Sequence, residues 1–79
     1  MSKINILDKV ALLVDKPEHQ LGRGCVGTII EIGWNTQKES PTYTVEFVDE
    51  NTGEFIAQVF ITEPLEIIPL YFKPKSFED

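Results

Sequence analysis

Histidine and cysteine are almost missing from this chain of 79 residues, which holds one of each, His19 and Cys25. A single cysteine excludes an intramolecular disulfide and any metal centre built from cysteines within one chain. A Cys–His nucleophile pair is the sharpest catalytic arrangement these residues allow. Against it, Cys25 opens a strand and reads as a small buried hydrophobe, while His19 sits in a polar loop. No cofactor or metal is expected. Basic residues are missing too: between Lys38 and Lys73 there is no lysine or arginine. No apolar run approaches the roughly 20 residues of a membrane span, and no leading apolar stretch resembles a signal peptide. A cytoplasmic location and no membrane contact are the expectation. Helical periodicity and internal repeats are likewise absent.

What is present is one small globular domain. The composition is 42% hydrophobic and 25% charged, too apolar for intrinsic disorder and too short for a second core. The net charge is −6. Glu39, Glu46, Asp49, Glu50, Glu54, Glu63 and Glu66 all fall in the stretch without cations. That half of the chain repels a phosphate backbone. It reads either as a solvated face that keeps a small domain in solution or as a docking face for a basic partner.

The pattern along the chain is that of short strands. Leu21 to Trp34, LGRGCVGTIIEIGW, carries Gly22, Gly24 and Gly27 and then a β-branched run. This predicts a tight turn entering a bent strand, Cys25 to Trp34, with Val26, Thr28, Ile30 and Ile32 on one face and Cys25, Gly27, Ile29 and Glu31 on the other. Before it, Asp8 to Asp15 predicts a first strand in which Val10, Leu12 and Val14 alternate with other residues. Pro17 breaks that strand. Asn35 to Pro41 reads as a polar hairpin loop. Thr42 to Val48 predicts a strand with Tyr43, Val45 and Phe47 inward and Thr42, Thr44 and Glu46 outward. Asp49 to Gly53 is a turn cluster leading into Glu54 to Ile61, whose faces are Phe55, Ala57, Val59, Ile61 and Ile56, Gln58, Phe60. The junction reads as a hairpin with a bulge or a longer loop. Thr62-Glu63-Pro64 suits one helical turn capped by Thr62, and Leu65, Ile67 and Ile68 a short last strand that Pro69 ends. Five short strands predict an all-β fold, a small partly open barrel over residues 1–69 with a tail over 70–79. Tyr71 and Phe72 are expected to pack back on the barrel, with Phe77 free or bound to a partner.

Two motifs invite a ligand and fail. GxGxxG at Gly22, Gly24 and Gly27 needs a strand before it and a helix after it to hold a pyrophosphate; here a strand follows. Asp49-Glu50-Asn51-Thr52-Gly53 lacks the twelve-residue loop and terminal bidentate glutamate of a calcium site. Its carboxylates lie in an exposed turn where nothing apolar raises a pKa for acid work. The chain reads as a non-enzyme.

The order DKVALLVD, PEHQLGRGCVGTIIEI, YTVEFVDENTG and TEPLEII resembles a small bacterial family of SH3-like barrels with a domain of unknown function, from about Ile6 to Ile68. The resemblance implies an SH3-like fold and an adaptor or toxin-neutralising role beside other small proteins. The GxxGxV-type turn is also similar to the ribosomal and transcription-factor turn that binds RNA or protein on such barrels. This chain departs from it in charge, with Arg23 the one basic residue there.

Three functions compete. The first is a non-catalytic protein-interaction module (an adaptor, an antitoxin or immunity protein, or a complex subunit) whose partner has a basic face. Its contact candidates are Trp34, Glu46, Asp49, Glu50, Glu54, Tyr71 and Phe72. Tryptophan is enriched at interface hot spots, although Trp34 serves equally as a cover on the barrel mouth. The alternative is a nucleic-acid-binding barrel, which requires Lys3, Lys9, Lys16 and Arg23 to cluster. The third is an enzyme or small-molecule binder with a pocket lined by His19 and Cys25. Self-association through an exposed strand edge is open as well, since Ile56 and Phe60 need cover.

Overall fold

The computed structural model describes residues 4–70. Five antiparallel strands form one sheet in the order β4-β3-β2-β1-β5. They are β1 Lys9–Leu12, β2 Val26–Asn35, β3 Ser40–Val48, β4 Phe55–Ile61 and β5 Ile67–Leu70, with single 3-10 turns at Pro17–His19 and Pro64–Glu66. The fold is all-β, and its outer strands β4 and β5 do not pair with one another, as in a small partly open barrel. β5 extends through Leu70, one residue past the expected tail boundary.

The core lies on one face of the curled sheet. Val10, Leu12, Ile29, Val45 and Ile61 are wholly buried, and Phe47, Val59 and Ile67 nearly so. The alternation expected in β3 holds, with Tyr43, Val45 and Phe47 inward. Thr42 was expected outward and is buried. Gly33 opposite it has no side chain, and a Cβ there would lie 2.7 Å from Thr42 Oγ1. The threonine fills space that the glycine leaves.

Gly27 makes the closest backbone approach. A Cβ at this position would sit 2.6 Å from Val45 Cγ1 and 2.9 Å from the Glu46 carbonyl. β1 and β3 flank β2 here, and only a bare α-carbon fits between Val10 and the Val45–Phe47 layer. The preceding turn bends at Gly24, at φ +96°.

Two bulges set the phase of the strands. In β2 the register moves between Ile29 and Glu31, leaving Ile30 unpaired as the extra residue. Ile32 therefore joins the Tyr43 face instead of sharing the face of Ile30 as expected, since it pairs directly with Tyr43. In β4 the register moves between the Phe47–Ala57 and Val48–Phe55 pairs, so Ile56 is the extra residue. Phe55, expected beside Ala57, Val59 and Ile61, is turned out of that face and exposed. The bulge bears out the expected irregular hairpin.

Several boundaries also differ from the expectation. β1 stops at Leu12 instead of Asp15, because the chain bends away to close the loop at the Lys16–Leu21 bridge. The polar hairpin loop shrinks to residues 36–39: Asn35 pairs with Ser40, and Trp34 with Pro41. Pro41 lies beyond the end of β4, where no neighbour asks for its missing N–H. The residue before the second 3-10 turn is Glu63, not Thr62, and no side chain caps it. Leu65 belongs to that turn and is 89% exposed, not in the last strand. Pro69 does not end β5; it pairs with Val10 inside the strand. An edge strand tolerates this, since one of its sides has no ladder to complete.

Candidate functional site

The β3–β4 turn builds itself from its own polar groups. Asp49 Oδ1 accepts hydrogen bonds from the backbone N–H of Asn51 at 2.8 Å and of Thr52 at 3.1 Å. The Asp49 N–H donates to the Glu54 carbonyl at 2.8 Å, and Gly53 takes the positive φ of +78° that closes the turn. The Asp49 carboxylate is therefore engaged in the turn, while Glu50 and Glu54 are exposed. Beside the turn lies a cleft of about 320 Å³ between it and the glycine-rich turn. Leu21, Val26, Phe47 and Ile56 form its apolar walls, and Asp49 and Glu50 line it too.

A second, larger groove of about 560 Å³ opens at the other end of the sheet. Ile32, Trp34, Tyr43 and Leu65 line it together with Pro41 and Pro69. Trp34 pairs with Pro41 across the β2–β3 ladder and is 61% exposed. Burial of Tyr43 beside this groove raises its phenol above its ordinary pKa.

The expected contact residues do not form one patch. Asp49, Glu50 and Glu54 share the β3–β4 turn. Glu46 lies some 10 Å back along β3, half-buried between Thr28 of β2 and Gln58 of β4. Trp34 stands beside Pro41, roughly 26 Å along β3 from Asp49. Tyr71 and Phe72 lie outside the described residues, as does Phe77.

Ion pairs thin out the acidic half. Glu66 pairs with Lys16 at 2.8 Å, tying the first loop to the 3-10 turn before β5. Glu63 pairs with Lys38 of the β2–β3 turn. The same contacts divide the cations that a nucleic-acid site would need. Lys16 is engaged with Glu66, Lys9 Nζ donates to Thr28 Oγ1 at 2.6 Å, and Arg23 is exposed on the glycine-rich turn. Lys3 lies outside the described residues. Cys25 borders the smaller cleft, whereas His19 lies in the first 3-10 turn and lines neither cavity. Among the described residues, no group of three or more His, Cys, Asp or Glu side chains is gathered to hold a metal ion.

Phe55 and Leu65 are the surface residues that sequence reasoning misplaced. A single extra residue in β4 exposes the first. The second could have been found from Pro64, whose fit to a helical first turn carries Leu65 into that turn.

The fold and these two concave surfaces define a small all-β domain with an acid-rimmed cleft at one end and an apolar groove at the other. The chain belongs to the DUF4926 family, a domain of unknown function, whose match covers residues 6–64. That match stops short of β5, the strand that pairs with β1. No curated protein and no solved structure matches the chain.

Proposed function

We propose that the protein is a non-catalytic, SH3-like interaction module of the bacterial cytoplasm that binds a protein partner through its acidic end. The partner segment presents lysine or arginine next to an apolar side chain. One observation carries this reading: Asp49 and Glu50 line a cleft whose walls are Leu21, Val26, Phe47 and Ile56. An apolar anchor fills such a cleft while a neighbouring cation meets the exposed carboxylates of Glu50 and Glu54. The SH3-like assignment draws support from the strand order, in which the last strand returns to pair with the first and a 3-10 turn precedes it. The lone cysteine suits a reducing compartment.

The test is a tagged capture from native lysate at low and high salt, run beside the Glu50→Lys variant. A basic protein held at low salt, released at high salt and missed by Glu50→Lys is the expected result. A partner kept equally well by Glu50→Lys, or at high salt, overturns the assignment of the acidic end.

A further inference from the structure

Among the described residues β4 is an outer strand, with β3 on one side and no described strand on the other. Its seven residues, FIAQVFI, include no charge, no proline and no glycine. Charge, proline and short length are the usual protections of a free edge, and none of them operates here. The bulge at Ile56 is the one such device among the described residues, and it leaves Ala57 to Ile61 regularly paired to β3. Ile56 and Phe60 are 45% and 63% exposed.

The strand is close to symmetric about Gln58. Stepping outwards on both sides it reads Ala57 and Val59, Ile56 and Phe60, Phe55 and Ile61. Laid antiparallel on the same strand of a second copy with Gln58 on the two-fold axis, Ile56 faces Phe60 twice and Ala57 faces Val59 twice. The two Gln58 amides meet at the centre, where each can donate to and accept from the other. Beyond the Ile56 bulge, Phe55 and Ile61 fall opposite each other but on different faces. The pair after that sets Glu54 against Thr62, so no carboxylate faces a carboxylate even though each chain carries a net charge of −6. Neighbouring registers are worse. Centring on Ala57 puts Glu54 against Phe60, and centring on Val59 puts Glu63 against Phe55 and Gln58 against Phe60. Both set a carboxylate against an aromatic ring.

We propose that β4 is a self-association edge, pairing antiparallel with β4 of a second copy about Gln58 and joining two sheets into one. The paired strands are short, so the association is weak and depends on concentration. Ile56 also walls the cleft of the partner reading above, but Glu50→Lys tests that reading without touching β4.

Light scattering over a wide range of protein concentration reads the proposal directly. The mass is expected to rise from 9.0 kDa towards twice that value, and more steeply at high salt, which screens the repulsion between two acidic copies. Ile56→Lys and Phe60→Glu each set a lone charge against an apolar residue and weaken association at least about tenfold. Mixing the two variants restores it, because one Lys–Glu pair and one Ile–Phe pair then form. As a second readout, Gln58→Cys in a Cys25→Ser background forms a disulfide between copies when oxidised glutathione is added as the two-electron oxidant, since residues directly opposite lie about 4.5–5.5 Å apart at Cα. A wild-type mass fixed at 9.0 kDa at the highest concentration overturns the proposal. So does a mixture of folded variants that stays monomeric, or a Gln58→Cys chain that does not cross-link. Continued association of the single variants places the contact elsewhere and overturns it as well.

Discussion

The two edges of this sheet are built on opposite plans. β5 is four residues long, carries Pro69 within its pairing, and is reached through a 3-10 turn held by the Lys16–Glu66 ion pair. β4 is seven residues long, uncharged and free of proline, with Phe55, Ile56 and Phe60 exposed along it. A short edge with a proline offers few main-chain groups to a foreign strand, while a long apolar edge offers a full ladder. One edge is closed to strand addition and the other invites it. The difference also runs inwards: Ala57, Val59 and Ile61 of β4 are core residues, whereas only Ile67 of β5 is buried.

That asymmetry can be broken most severely from below. Ile61→Ala removes a wholly buried side chain and should cost about 2–5 kcal/mol, whereas Ile68→Ala, on the half-exposed side of β5, should cost under about 1 kcal/mol. Urea unfolding of both variants checks the ratio, and equal losses would mean that the two edges are anchored alike. The next effect is expected at Gly27, where the β1–β5 side of the sheet meets the β3–β4 side. Gly27→Ala forces a methyl into Val45 and the Glu46 carbonyl, for a loss of about 1–3 kcal/mol; a thermal midpoint like that of wild type would contradict the close approach. The smallest effect sharpens the β5 side alone. Glu66→Gln removes the partner of Lys16 and should cost about 0.5–1 kcal/mol at low salt, with the difference shrinking as salt is raised.

Much of this fold was legible because its strands are patterned locally. Tyr43, Val45 and Phe47 alternate with polar neighbours, and the glycine cluster marks the turn before β2; both appear where the pattern puts them. The misses share one cause. A bulge is decided by what lies across the ladder, and the extra residues Ile30 and Ile56 look like any other β-branched residue in one dimension. Each one reverses the facing of everything beyond it, so simple alternation puts Ile32 and Phe55 on the wrong sides. Proline stops a central strand, so the sequence pattern ends β5 at Pro69, and only the strand order identifies β5 as an edge. For the site, the acidic turn was visible as composition. The cleft beside it was not, since Leu21 and Ile56 meet there only after the sheet has curled.

The pairing of β5 with β1 also has a consequence in time. Ala11 meets Ile68 across almost the whole length of the described chain, whereas β2, β3 and β4 are neighbours joined by short turns. Local hairpins repay their loop-closure entropy early, and a contact between distant segments repays it late. The three central strands can therefore collapse as a meander while the β1–β5 seam is still open. The β1–β5 seam is accordingly expected to close last in folding and to open first in unfolding.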